Sequence, residues 1–501
     1  MTIKHSIILL ALFLPLIANS SEPKDISLFL ELGDFSKAEA AIKQLKSPQE
    51  QQIWHSKAAF YKGDYKEAER IVGAVSNTFD IQDLRNFYSA LIEFNKDTVV
   101  FESEHFRIRL SGADVILSTY ALTALEAGYS KIGESLGYFP KDKILVEVYG
   151  TKDEFAVASS LGSKLLEKSG TVGICKFNRV MLLSPQALPI GYRWLDTLNH
   201  EYTHFIVNRK SNGLCPLWLH EGIARYHDTL WRLGTPLYMT ADGENHLYNA
   251  RKAGKYITFR QMYPSLVYLE TQDDISLAFA EAASAVNFMK IRFGNDIVGS
   301  LLQSMADTKN DLRGFKNSLK ISQEKFEKEW QKYIAGSELK LRGGAASDQP
   351  QFKRFDENEF IGANLKGHIR LGDRLRTNKL YDAAVAEYEK ALEKEPANPV
   401  VLLKIARAYL GAGNFAEAEK KLRESIEANP NYVTPFQALG ELYCNQREYA
   451  QAVKILNEAV AINPFHPRSH ELLALSYAAL GDNDKAALEN NILRILSAGH
   501  K

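Results

Sequence analysis

The amino-acid sequence predicts an α+β protein that is predominantly helical, with a small sheet in the middle of the chain and helical repeats towards both ends. Three observations support this prediction. A 34-residue period runs through the C-terminal region, strand-like apolar runs occur in the middle region, and amphipathic helical spacing is found near the N-terminus. The chain has 501 residues, which is enough for two to four domains.

The charge balance gives no support to nucleic-acid binding or to electrostatic membrane binding. The 61 basic residues are matched by 61 acidic residues, so the formal net charge is zero. Nucleic-acid binding usually leaves a basic footprint, and electrostatic membrane binding needs one too. We therefore expect no nucleic-acid partner.

The first twenty residues predict an export signal. Lys4 is followed by the apolar run Ile7 to Ala18, which has 12 residues where a spanning helix needs about 20. Small residues at Ala18 and Ser20 favour cleavage after position 20. We predict a signal peptide at 1–20, a periplasmic or secreted protein, and no integral membrane segment after cleavage. An uncleaved anchor is the alternative.

Residues 21–97 are predicted to be degenerate helical repeats. The run Gly33-Asp34-Phe35 recurs thirty residues later as Gly63-Asp64-Tyr65, and amphipathic helical spacing surrounds both copies.

Residues 98–340 begin with strand-like segments and continue with helical ones, which predicts a small sheet that leads into helices. Strands are expected at 106–110, 143–149 and 179–183, with a helix from about 115 to 136 between the first two. Helices dominate from Arg193 onward. The segment 341–363 is rich in Gly, Ser, Asp and Gln and is predicted to be a linker.

Residues 364–501 contain the clearest repeat. The aligned positions, each 34 residues apart, hold an aromatic residue in the first three repeats, an alanine in all four, and a proline: Tyr381, Phe415, Tyr449 and Asn483; Ala384, Ala418, Ala452 and Ala486; Pro396, Pro430 and Pro464. This period is typical of tetratricopeptide repeats, in which small residues let paired helices approach closely. We predict that their surface binds a protein partner, or that the array only caps its neighbour.

The chemistry is concentrated in the run His200-Glu201-x-x-His204. On a helix the two histidines lie one turn apart on one face, where both imidazoles can bind one Zn²⁺. Glu201 is placed to take a proton from a zinc-activated water. Glu221 lies on the next predicted helix and can return as a third ligand. His220 is the alternative ligand, because adjacent helical residues point about 100° apart.

The pairing of this motif with Trp218-x-x-Glu221-Gly222-x-Ala224-x-Tyr226 resembles the gluzincin metallopeptidases, specifically the peptidase-MA-like proteins often fused to tetratricopeptide repeats. The resemblance implies a zincin-like catalytic domain over 98–340. It implies that His200, His204 and Glu221 bind zinc and that Glu201 is the general base. It also implies that the strand near 171–183 holds an extended peptide at its edge.

The sequence leaves open which residue stabilises the oxyanion, whether Asp196 supports His200, and whether the cysteines are bridged. Gluzincins place a Tyr or His on a downstream helix to stabilise the oxyanion, but Phe279 stands at the expected position, which leaves Tyr226 and Tyr263 as candidates. Asp196 is either a hydrogen-bond partner of His200 or a solvent-facing polar residue. Cys175 and Cys215 are either bridged or, together with Cys444, free thiols.

Two functions follow from these patterns. The first is a zinc metallopeptidase whose repeat segments bind a peptide or protein substrate or another protein. The alternative is a catalytically silent envelope scaffold in which the zinc site is structural or vestigial.

Overall fold

The computed structural model describes residues 24–76, 79–189, 191–342 and 365–498. The predicted signal peptide at 1–20 and nearly all of the predicted linker lie outside these ranges. The described chain is mostly helical, as predicted. None of its helices is both long and apolar enough to span a membrane.

The N-terminal helices are built around two copies of one turn. They are α1 Lys24–Glu31, α2 Phe35–Ile42, α3 Pro48–Tyr61, α4 Tyr65–Gly73 and α5 Phe79–Phe94. Gly33 and Gly63 both have positive φ, and the following Asp34 and Asp64 cap the next helix by accepting a backbone N–H three residues on. The repeated Gly-Asp pair therefore ends one helix and begins the next in both copies.

A five-stranded sheet follows, with the order β1-β2-β3-β5-β4. Its strands are β1 Thr98–Glu102, β2 Phe106–Ser111, β3 Ile144–Tyr149, β4 Gly173–Lys176 and β5 Arg179–Leu183. Strands β2, β3 and β5 are parallel, whereas β1 and β4 are antiparallel to their neighbours and form the two edges. The helices between strands are α6 Leu117–Leu136, α7 Lys152–Ala158 and α8 Ser163–Ser169.

Strands β4 and β5 form a tight hairpin. Phe177 and Asn178 at its tip have φ of 57° and 58°, which is the backbone of a type I′ turn. Lys176 and Arg179 flank the turn, so the next pair, Cys175 and Val180, is a non-hydrogen-bonded pair. The backbone N–H of Cys175 therefore points away from β5, towards the outer side of the sheet edge.

The hairpin and the N-terminal helices share a buried charged cluster. Glu147 on β3 accepts hydrogen bonds from Tyr65 (2.6 Å), Tyr149 (2.9 Å) and Arg109 (2.6 Å). Arg179 lies 3.3 Å from the same carboxylate and is also bonded to the hydroxyl of Tyr65. The positive charges outweigh burial and lower the pKa of Glu147, which is 1% exposed.

The remaining helices before the linker are α9 Trp194–Ser211, α10 Leu217–His227, α11 Leu230–Leu233, α12 Ala241–Ala253, α13 Gln272–Phe293, α14 Ile297–Thr308, α15 Asp311–Leu319 and α16 Gln323–Gly336; short 3₁₀ turns occur at Gly112–Asp114, Pro185–Ala187 and Leu266–Tyr268. The chain divides into two compact units. The first comprises the described residues up to 183 together with 197–238 and 255–337. The second comprises 184–196, 239–254 and the described residues from 338 onward.

The second unit contains the C-terminal repeats. Their helices are α17 Lys366–Thr377, α18 Tyr381–Lys394, α19 Pro399–Ala412, α20 Phe415–Ala428, α21 Val433–Asn445, α22 Tyr449–Val460, α23 Pro467–Ala479 and α24 Asn483–Ala498. The repeated alanines are buried within the pairs, and the repeated prolines lie in the loops after the second helices. Gly372, Gly411 and Gly440 lie against Tyr388, Tyr381 and Leu456, where a Cβ would overlap the ring or methyl groups. Small residues thus set the helix spacing, as predicted.

Candidate metal centre

Helix α9 places the two predicted histidine ligands one turn apart. Leu198, Tyr202 and Ile206 are fully buried and hold the side of the helix away from the histidines against the rest of the first unit. The helix ends at Asn212 and Gly213, which have positive φ, and the N–H of Gly213 bonds back to the carbonyl of Asn208.

Helix α10 brings Glu221 to both histidines. Its Oε2 lies 3.6 Å from His200 Nε2 and 3.4 Å from His204 Nε2. Ligand atoms about 2.0–2.1 Å from a tetrahedral zinc lie about 3.3–3.4 Å from one another. The ligand atoms of His200, Glu201 and His204 also lie within 4.8 Å of one another. The donor set therefore fits zinc, with three ligands and an adjacent carboxylate.

The electrostatics of the cluster reflect burial and the Glu221 charge. Burial lowers the pKa of His200 to about 4 despite its contact with Glu221. Burial acts in the same direction on His204, but the charges of Glu221 and Glu201 outweigh it and raise the His204 pKa. Burial would raise the pKa of Glu221, but the two histidines hold it well below its ordinary value. Glu221 is thus ionised between two imidazoles, as a zinc ligand must be.

Glu201 sits beside the ligands in a different environment. Burial raises its pKa to about 7, and the charge of Glu221 acts in the same direction. Its carboxylate accepts a hydrogen bond from the outward-pointing N–H of Cys175 on β4. A Cβ on Gly173 would lie 2.8 Å from Glu201 Cγ, so the strand edge passes directly over this side chain. The backbone of β4 therefore orients the predicted base.

This part of the site was not predicted from the sequence. Neither β4 as a separate strand nor a contact between Cys175 and Glu201 was expected. The signal that could have revealed the hairpin is Asn178, a residue that tolerates positive φ, between two apolar runs. Phe177 at the other turn position obscures that signal, because bulky residues rarely adopt positive φ.

His220 packs against a ligand. Its ring is stacked on that of His204, with centroids 4.4 Å apart and 15° between the planes. It is 4% exposed, and burial lowers its pKa well below the ordinary value. This stacking favours a supporting role for His220 and leaves Glu221 as the residue whose oxygen meets both histidines.

The structure also bears on the roles considered for Asp196, Tyr226 and Tyr263. Asp196 is 6% exposed, so its interpretation as a solvent-facing residue is wrong. Tyr226 follows Glu221 by five residues, about 140° around the helix, and packs on Tyr238 with ring centroids 5.7 Å apart. Its place on the far side of α10 argues against the oxyanion role. Tyr263 is 75% exposed, and Phe279 is partly buried on α13.

The cysteines are free thiols. Cys175 and Cys215 are partly buried and unbridged, and Cys444 is buried. Burial raises the pKa of both Cys175 and Cys215 well above the ordinary value, so neither is an activated nucleophile.

Gly222 allows α10 to approach α13 closely. A Cβ at this position would lie 2.4 Å from the carbonyl oxygen of Ala282. We expect Gly222→Ala to push the helices apart, to destabilise the fold by about 1–3 kcal/mol, and to weaken zinc binding because Glu221 moves with its helix. Urea unfolding and zinc titration measure the two effects. Gly336→Ala, at a helical glycine whose Cβ position is open, is the control; equal behaviour of the two variants would contradict the prediction.

Comparison with known proteins supports the C-terminal repeats. The tetratricopeptide repeat family matches residues 375–439 and 409–476. The uncharacterized protein YhcO of Bacillus subtilis (strain 168) is 23% identical over 201 residues, which are 39% of this chain and 56% of YhcO. The chain thus spans about half the length of that curated relative.

Solved repeat proteins are also similar to parts of the chain. MamA is 18% identical and covers 28% of this chain and 81% of its own, with a TM-score of 0.25. A thermophilic TPR protein of Thermus thermophilus is 28% identical and covers 26% of this chain and 74% of its own, with a TM-score of 0.24. Likenesses at these TM-scores carry no argument about function. The family match supports the conclusion that the C-terminal region is a tetratricopeptide scaffold suited to protein interaction.

Proposed function

We propose that this protein is a zinc-dependent peptidase that is carried on a tetratricopeptide scaffold. The observation that supports the proposal is the convergence of His200, His204 and Glu221, at ligand-to-ligand distances of 3.4 and 3.6 Å, beside the buried carboxylate of Glu201. Three protein ligands with a neighbouring carboxylate are typical of catalytic rather than structural zinc sites, which usually have four protein ligands.

Each residue then has a defined task. Bound zinc would act as a Lewis acid towards the scissile carbonyl and the attacking water. Glu201 takes the proton of the water and passes it to the leaving amine. The N–H of Cys175 holds the Glu201 carboxylate in place. Strand β4 lies at one end of the described sheet, so an extended substrate can pair with outward-facing backbone groups of this edge other than the N–H of Cys175.

Zinc binding tests the ligand set directly. We expect one equivalent of zinc per chain, and a loss of affinity of more than about 100-fold in Glu221→Ala, which exceeds the usual effect of losing an outer-shell partner. His220→Phe keeps the stacked ring and should retain zinc. Metal analysis and chelator competition measure both variants. Loss of zinc in His220→Phe but not in Glu221→Ala would exchange the roles of the two residues.

The second candidate is a scaffold whose zinc site is catalytically silent. The comparisons with known proteins favour this scaffold candidate, because the family that matches describes the repeats. The packing of Tyr226 away from Glu221, and Phe279 at the position expected for a tyrosine, also favour it. Zinc binding alone is compatible with both candidates, so cleavage has to decide between them.

A further inference from the structure

The residues of the metal centre lie on a stretch of chain that is bracketed by two segments of the repeat unit. All three ligands and Glu201 fall within 197–238 of the first unit. The segments immediately before and after this stretch, 184–196 and 239–254, belong with the C-terminal repeats. Both therefore join the repeats in a single compact unit.

Arg193 is the main polar anchor of the first segment. Its Nε and Nη2 donate to the carbonyl of Pro430 at 3.1 and 2.9 Å, and its Nη1 donates to Glu458 at 2.6 Å. The guanidinium also lies over the ring of Phe436, 5.5 Å from its centroid. Arg193 is 17% exposed, so these charge-assisted bonds are shielded from solvent and stronger than surface pairs.

The neighbouring backbone and indole continue the contact. The N–H of Tyr192 donates to the carbonyl of Ile462, and the indole Nε1–H of Trp194 donates to the carbonyl of Val460, both at 3.1 Å. Gly191 has a φ of 72°, and a Cβ there would lie 2.2 Å from the Ile462 oxygen. Ile462 is itself held in a buried cluster with Val433, Phe436 and Ala459. The repeats thus bind four consecutive residues of their own chain.

The second segment is tied in a similar way. Arg342 and Asn245 exchange hydrogen bonds between the Arg342 backbone and the Asn245 side-chain amide, at 2.7 and 2.9 Å. The Nε of Arg342 donates to Glu244 at 2.9 Å, and its Nη1 is bonded to Glu427 on α20. Helix α12 is therefore attached to the repeats after the metal-binding stretch, as 191–194 is attached before it.

Trp194 is the first residue of α9, and His200 follows it by six residues, less than two turns later. A continuous helix transmits the position of its first turn to the ligands, because its backbone hydrogen bonds fix both register and direction. We propose that the C-terminal repeat array is an intramolecular anchor for the metal-binding helix, with Arg193 as the positioning residue. This inference rests on the proposed zinc site.

The repeats cannot offer their whole surface to a second protein. The part of the array formed by Pro430, Glu458, Val460 and Ile462 is already occupied by the chain itself. A second protein must therefore bind elsewhere on the repeats, and the array acts on the metal centre without needing to deliver a substrate.

The test uses the full protein with Arg193→Ala, Arg193→Lys and, as the matched control, Arg468→Ala. Arg468 forms exposed ion pairs with Glu441 and Glu471 on the same array, and none of its hydrogen bonds or ion pairs in the described structure is to 184–196. We expect Arg193→Ala to weaken zinc binding about ten-fold, the lower end of the effect of losing a supporting partner. Hydrogen exchange over 194–204 should be about ten-fold faster. Lysine should restore part of both, and Arg468→Ala should match the parent.

Unchanged zinc affinity and unchanged exchange over 194–204 in Arg193→Ala would overturn the inference. If that variant also lowers global stability, Trp194→Phe decides, since it removes the Nε1–H bond to Val460 and leaves the contacts of Arg193 in place. Absence of zinc in the parent would overturn the proposed function instead, and the exchange measurement on zinc-free protein would still report whether the repeats hold the helix.

Discussion

Glu201→Gln is expected to lower peptide cleavage by at least about 100-fold while zinc stays bound. The amide keeps the size of the side chain and can still accept the hydrogen bond from Cys175, but it cannot take a proton from water. General-base catalysis contributes about 10²–10⁴-fold, so cleavage should fall by about that factor. The ligands His200, His204 and Glu221 are untouched, so the zinc content should equal that of the parent.

Cleavage of casein or a peptide library, with metal analysis of the same samples, measures this prediction. Glu104→Gln is the control, because Glu104 is an exposed carboxylate in the same unit, with a side chain that is 84% exposed. Parent-like cleavage by Glu201→Gln would rule out the proposed mechanism. Zinc without cleavage, in the parent as well as in the variant, would favour the silent scaffold.

Glu147→Gln should destabilise the fold by about 3–5 kcal/mol, the usual cost of breaking a buried ion pair. Tyr65, Tyr149, Arg109 and Arg179 all direct donors at this carboxylate. An amide would place its own N–H donors against them and leave the buried charge of Arg179 uncompensated. Urea unfolding measures the difference in the free energy of unfolding.

The effect should depend on pH in a defined direction. The pKa of Glu147 is lowered in the folded protein from its ordinary value of 4.5, so its contribution is complete above that value. As the pH falls below 4.5 and through the folded pKa, the difference between parent and variant should shrink. Glu102→Gln, at an exposed ion pair on β1, should match the parent throughout. A difference between parent and Glu147→Gln that grows in acid would contradict this account.

Local patterns made much of the fold predictable. The 34-residue period reports helix pairs whose contacts lie within one or two repeats, so the alanines and prolines that define it are the residues that pack and end those helices. The strands at 106–111, 144–149 and 179–183 were also predicted, because the first alternates apolar and polar residues and the other two are largely apolar. Strand β1 was missed, since Val99 and Val100 are exposed and carry no buried face.

The metal residues were predictable for a related reason. His200, Glu201 and His204 are fixed relative to one another by one helical turn, which the sequence alone specifies. The choice of Glu221 over His220 as third ligand required a resemblance, because the packing of one helix on another is not encoded locally. Peptidase activity and export stay predictions.

The parts that could not be predicted depend on distant pairings. The bond between Cys175 and Glu201 needs the sheet order, and nothing near Arg193 indicates that its partners lie in the repeats. From the sequence, the repeats were expected either to bind another protein or only to cap their neighbour; in the structure part of their surface binds residues 191–194.

The separation of these partners has a consequence for the order in which the protein assembles. Trp194 and Val460 are 266 residues apart, and Arg193 and Pro430 are 237 apart. At translation rates of about 5–20 residues per second, a nascent chain holds its zinc-binding residues for on the order of 10–50 s before the partner of Trp194 is synthesised. Each repeat can fold locally, but closure of this unit has high contact order and comes late. A chain stopped just before residue 430 would carry every proposed ligand and lack the contacts that secure their helix.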